Sequence, residues 1–217
     1  MSRLPLLAPL GGALFTVAWL VLGAVSPGYQ LFDLVVEPYS SVSQPVSGLG
    51  LGVTGVWMNT AFVVGGLLVL AGAVGVRRAL PRGRAVSAGL ALSALTGLGM
   101  VVDGLFTLES VLIHLVGFLL AIPAAGVGFV VLGAALLPTS PGLARVLLGA
   151  GPVSLALFVW FMVVFDPYTA GDGSGYAGVL QRVLITLLLA TWGVLGVAAR
   201  RRAPEPVGET EEARAVR

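Results

Sequence analysis

Six stretches of this chain are each apolar for about twenty residues or more: Leu6–Val25, Val53–Val76, Ala85–Leu105, Val111–Leu136, Leu143–Phe165 and Val179–Ala199. A helix rises about 1.5 Å per residue and the hydrocarbon core of a bilayer is about 30 Å thick, so each run is long enough to cross it once. The runs are continuously apolar rather than alternating, which argues for helices over the strands of a membrane barrel. Composition agrees. Hydrophobic residues make up 57% and charged residues 10%, against about 25% charged in ordinary soluble chains, too few to clothe a surface facing water. The expected architecture is therefore an all-α integral membrane protein, a bundle of six transmembrane helices over residues 1–202.

The first run has the look of a secretory signal, but it follows a single Arg3, is longer than the usual apolar core of such a signal, and has Pro27 where a cleaved product would begin. It reads as an uncleaved first span. Every basic residue is an arginine. With the amino terminus cytoplasmic, eleven of the twelve arginines fall on that side: Arg3, the connection RRALPRGR after the second run, Arg145, the RRR stop at 200–202, Arg214 and Arg217. Only Arg182 falls on the other. This is the positive-inside distribution, and it predicts both termini in the cytoplasm of a cell with the chain in the plasma membrane. The tail at 203–217, with Pro and Glu and no apolar period, reads as a disordered cytoplasmic segment.

Small residues at four-residue spacing let helices approach closely in lipid, where no hydrophobic drive brings them together. Gly89, Ser93 and Gly97 supply such a stripe to the third span, and Gly117, Ala121 and Ala125 to the fourth. Gly66 is followed at that spacing by Leu70, so the second span contributes less. Pro123 and Pro152 are expected to kink the fourth and fifth spans.

The outer side collects six carboxylates, Asp33, Glu37, Asp103, Glu109, Asp166 and Asp172, together with the only histidine, His114. His114 shares a helix face with Gly117 and Ala121 and so points into the bundle. Asp103 and Glu109 are its neighbours in sequence. Arg182 begins the sixth span on a face with Thr186, Leu189 and Gly193. A guanidinium inside the membrane needs a carboxylate or backbone carbonyls, and Glu109 or Asp103 is the expected partner. Asn59 adds a polar group to the second span, and Tyr39 and Ser43 to the first outer loop. The expectation is an outward-facing polar pocket formed by His114, Arg182, Glu109, Asp103, Asn59, Tyr39 and Ser43. Each residue also has a plain reading: a hydrogen-bonded structural histidine, an arginine acting as glue, and a loop whose Tyr39, Ser40, Ser41 and Ser43 form a solvated surface.

Several chemistries are excluded or unsupported. One histidine cannot supply a three-histidine zinc site or ligate two haems, and the absence of cysteine removes thiolate metal sites. No Ser lies in a GxSxG elbow, and there is no phosphate-binding loop and no nucleic-acid-binding module. No cofactor and no metal is expected, and catalytic residues are not identified.

Four stretches carry a resemblance. They are YSSVSQPVSGLG before the second span, Asn59 with FVVGG after it, GLFTLES leading to His114, and GYAGVLQR before the sixth span. Together they resemble the bacterial membrane proteins grouped as domain of unknown function 998, over about residues 8–200. The resemblance implies a six-span membrane fold and carries over Tyr39, Ser43, Gly48, Asn59, Glu109, His114 and Arg182, without an activity. An acid often precedes the arginine of the last span in that pattern; here Gln181 stands in its place. The leading reading is a membrane protein that binds a lipid or small amphiphile in the outer pocket, with membrane lipids, and in one reading another membrane protein, as partners and no nucleic acid. The alternatives are an enzyme acting on a lipid headgroup at the outer leaflet and a structural or assembly subunit of a membrane complex.

Overall fold

The structure, a computed structural model, describes residues 3–202 apart from the side chains of Tyr168 and Thr169. The tail expected to be disordered lies outside the described residues. Six helical stretches are long and apolar enough to cross a membrane: Leu4–Val25, Gly52–Ala79, Arg84–Leu105, Leu108–Leu136, Pro141–Val164 and Ala177–Arg202. They agree with the six expected runs to within a few residues at each end. The chain is a multi-pass membrane protein. Its flank carries the apolar side chains that lipid requires, with Leu112 77% and Val163 78% exposed.

The main helices are α1 (Leu7–Val25), α2 (Gly55–Ala79), α3 (Arg84–Leu105), α4 (Val111–Leu119), α5 (Ala125–Leu136) and α6 (Pro141–Val164), followed by the short α7 (Pro167–Gly171) and the last span α8 (Ala177–Arg202). The helices α4 and α5 form one span, joined by a π-helical turn at Leu120–Ala124 that contains Pro123. A proline removes an amide donor and crowds the preceding turn, and here the extra residue of the wider turn takes up that misfit. Pro152, by contrast, lies within an unbroken α6.

The spans close into a ring in chain order: α1 packs on α2, α2 on α3, α3 on α4 and α5, α5 on α6, α6 on α8, and α8 back on α1. Close approach at two of these contacts depends on glycine. Gly66 of α2 and Gly97 of α3 each face the other's carbonyl oxygen, and Gly99 of α3 faces the Gly117 carbonyl and Ala121. A Cβ at any of them would strike backbone. Gly66 therefore carries more of the packing than its sequence spacing with Leu70 suggests, because its partner is on the neighbouring helix.

One end of the bundle carries Arg77 and Arg78, Arg84, and Arg200–Arg202; there Arg202 donates to the Ser140 hydroxyl at 2.6 Å. The other end carries a folded loop between α1 and α2, an addition to the helical bundle that the apolar runs did not indicate. It begins with an antiparallel hairpin, β1 (Tyr29–Leu31) and β2 (Leu34–Val36), in which Tyr29 pairs with Val36 and Leu31 with Leu34. A 3-10 turn at Val46–Gly50 follows, with all five residues buried. Besides a small one at Phe161, Ala177 and Leu180, two large hydrophobic clusters fill the interior. One, toward the arginine-bearing end, is centred on Phe129, Leu132, Leu147, Trp192 and Leu195. The other joins Phe15, Met58, Phe62 and Met100 of the helices to Tyr29, Val36, Tyr39 and Leu49 of the loop. The loop is thus part of the core.

Candidate functional site

The polar side chains expected in one pocket fall into two groups. The first is Asp103 with His114. Asp103 is at the end of α3 and His114 one turn into α4, and the close approach of Gly99 to Gly117 brings the two helix ends together. Gly117 also makes the room that the carboxylate occupies, since a Cβ there would collide with Asp103 Oδ1. The His114 Nδ1 lies 3.6 Å from that oxygen and 2.8 Å from the carbonyl oxygen of Phe106. A carbonyl only accepts, so Nδ1 carries a proton and donates it to Phe106, and Nε2 is left as the second ring nitrogen. Asp103 Oδ1 is buried and has no hydrogen-bond partner.

Both residues line a cavity of about 40 Å³ between the spans. That is room for about three water molecules. Most of its wall is apolar, including Phe15, Phe62, Met100, Phe118 and Leu188, and its remaining polar groups are Ser47, Thr96 and Gln181. Val46 and Ser47 of the loop form its wall on the loop side. The expected polar pocket is therefore an apolar cavity with a polar corner, because each span turns mainly aliphatic and aromatic side chains toward its neighbours.

The second group surrounds Arg182, whose expected carboxylate partner is not there. Among the described residues no acidic group pairs with it. Its Nη1 donates instead to the carbonyls of Ser41 at 2.8 Å, Gln44 at 2.9 Å and Gly178 at 2.9 Å, and its Nη2 donates to the Tyr39 hydroxyl. That hydroxyl donates onward to the Pro45 carbonyl at 3.3 Å. The guanidinium also lies over the Trp19 ring, 5.4 Å from its centroid. The reason is proximity: Gly178 lets the 41–44 backbone reach α8, where a Cβ would strike the Gln44 carbonyl, so carbonyl oxygens arrive at Arg182 before any side chain does.

The remaining expected residues are placed apart from the cavity. Glu109 is exposed and accepts a bond from the Thr107 hydroxyl at 3.2 Å. Asn59 donates to the Gly50 carbonyl at 3.0 Å, tying the 3-10 turn to α2. Ser43 is fully buried in the loop, with a hydroxyl that has no partner. Tyr39 and Ser43 are interior residues, not a solvated surface. Burial raises the Tyr39 phenol above its ordinary range, partly offset by the neighbouring Arg182, and raises Tyr29 to about 12 with help from Tyr39.

Two glutamines outside the expected pocket set belong to this arrangement. Gln44 is fully buried; its amide donates to the Ala170 carbonyl at 3.0 Å while its oxygen accepts from the Ser40 amide. Gln181 accepts from the Val46 amide at 2.6 Å and lines the cavity. An amide oxygen and a carboxylate oxygen are equivalent acceptors for that bond, so the position before the last-span arginine fills this role without charge. The signal was present in sequence as an uncharged polar residue beside Arg182, on a helix otherwise apolar for many residues.

Neither the curated proteins nor the solved structures contain one that matches this chain. A family model does match, over residues 9–198, which reaches into all six spans and takes in the loop and both polar groups. The chain belongs to the family described as Protein of unknown function (DUF998).

Proposed function

We propose that this protein is a binding protein of the plasma membrane that receives the polar head of a lipid or small amphiphile in the cavity between its spans. One observation carries the reading: an apolar cavity with Asp103 and His114 converging at one corner, neither spent on the other. Few polar groups in a mostly apolar hollow are the usual make-up of a small-molecule site. Ionisable groups inside a membrane bundle are costly unless they serve a ligand, a partner or a path. The volume sets the scale. It takes a head of three or four heavy atoms, and a longer tail has to lie among the apolar walls. In this reading the loop-bearing end faces away from the cytoplasm, supported by the eleven arginines assigned to the opposite side.

Native mass spectrometry of the protein from mild detergent tests it, with wild type beside His114→Ala and Asp103→Asn. The expected result is a bound molecule released from wild type and missing from both folded variants. A bare wild type, or equal occupancy in all three, would overturn the reading.

A further inference from the structure

We infer that the head received by this cavity is an organic ammonium, a protonated amine carried alone or at the end of a hydrocarbon chain. The inference rests on the reading of the cavity as a binding site and adds the sign and hydrogen-bonding character of what binds.

At Asp103, His114 and Thr96 the cavity offers acceptors, while Gln181 and Ser47, which also line it, can donate. Asp103 has a side chain only 6% exposed and an oxygen without any donor. His114 has committed its Nδ1 proton to the Phe106 carbonyl, so in the neutral ring Nε2 is an acceptor. The Thr96 hydroxyl, also on the cavity wall, donates to the Ser93 carbonyl at 2.9 Å and keeps its lone pairs as acceptors. A ligand that satisfies the partnerless Asp103 oxygen has to donate, and a cation does so while balancing the carboxylate.

The protein does not supply that cation itself. Among the described residues the one arginine of this end is Arg182, and its terminal nitrogens are held by the loop carbonyls of Ser41 and Gln44, the Gly178 carbonyl of its own helix and Tyr39. The walls fit an ammonium as well, since Phe15, Phe62 and Phe118 line the cavity and aromatic faces attract alkylammonium groups. A metal ion fits poorly: among the described residues no cluster of three or more His, Cys, Asp or Glu side chains exists, and hard cations require more ligands than one carboxylate and one imidazole. Long-range electrostatics point the same way. Asp33, Glu37, Glu109, Asp166 and Asp172 belong to the connections at the loop-bearing end, facing a single arginine, a field that concentrates cations there.

The test compares three ligands with one tail and different heads, n-octylamine, n-octanol and n-octanoate, added to the full-length protein in mild detergent near neutral pH. Binding is read as a saturable one-to-one adduct by native mass spectrometry and as a rise in melting temperature. The expected result is that octylamine binds at least tenfold more tightly than the other two. Asp103→Asn, which keeps the side-chain shape that Gly117 accommodates, should then lose at least tenfold in octylamine affinity. If octanol or octanoate binds as well as octylamine, the ammonium inference fails while the cavity stands as a binding site. If octylamine binds Asp103→Asn as tightly as wild type, the amine sits elsewhere and the inference fails. If none of the three binds, both readings fall. The comparison of head groups needs only wild type, so an unstable variant does not blunt it.

Discussion

Arg182 shows how a single charge can be kept inside a membrane bundle without a counter-ion. Three carbonyls, a phenol and an indole face receive it, and each hydrogen bond to a charged group is worth about 1.5–3 kcal/mol. Removing it leaves carbonyls of Ser41 and Gln44 without this donor, so Arg182→Ala should destabilise the folded protein by about 3 kcal/mol. Arg182→Lys, which keeps the charge but loses the planar fork, should fall between the two in melting temperature; a lysine variant as stable as wild type would argue against the fork. Tyr29 gives a second prediction at this scale. Its folded pKa is raised to about 12 from 10.0, so the folded state holds the proton more tightly. Stability from this group is present below pH 10 and is lost as pH rises toward 12. The melting temperature in detergent should fall over that window, and Tyr29→Phe should flatten the fall. At this scale the sequence located Arg182 and His114 on inward faces but misassigned the partner of Arg182 and the site of Glu109. Helical periodicity fixes the direction of a side chain along its own element, whereas the partner depends on which loop reaches it.

At the scale of elements, helix contacts depend on backbone reaching backbone. Gly99→Ala places a Cβ against the Gly117 carbonyl and Ala121 and should cost about 1–3 kcal/mol, read as a lower melting temperature. The change should also disturb the cavity, because the same contact seats Asp103 beside His114. Gly149→Ala meets nothing within 4 Å and should leave stability unchanged or slightly raised. The loop between α1 and α2 is the element that the apolar pattern left unread. Its stretch Tyr29–Val36 has no Asn-Gly or Asp-Gly turn; the reversal goes through Phe32 at φ 52° and Asp33, a backbone region a bulky residue seldom adopts. Its stability comes from burying Tyr29, Val36 and Leu49 on the bundle, an interaction between segments far apart in sequence.

For the whole molecule, the arginine distribution makes a clean topological prediction, since the native chain has no cysteine to mask. Single cysteines at two exposed positions, Asp33→Cys at the hairpin tip and Arg82→Cys between α2 and α3, should label oppositely in intact cells. A membrane-impermeant maleimide should reach position 33 at once and position 82 only after lysis; the reverse order would invert the assigned orientation. The sequence by itself determined that the chain crosses a membrane six times, nearly where each crossing begins and ends, and which family it belongs to. The crossings follow from local hydrophobicity and helical rise, which act over about twenty consecutive residues, and the family from short motifs spread along the chain. Only the tertiary structure decided that the loop folds into the end of the bundle, that Arg182 holds it by carbonyls, and that Asp103 and His114 meet at a small apolar cavity. Those outcomes depend on glycine contacts between spans and on buried hydrogen bonds bridging more than a hundred residues, as from Gln181 to Val46. No periodicity along one segment records which distant atom it will meet.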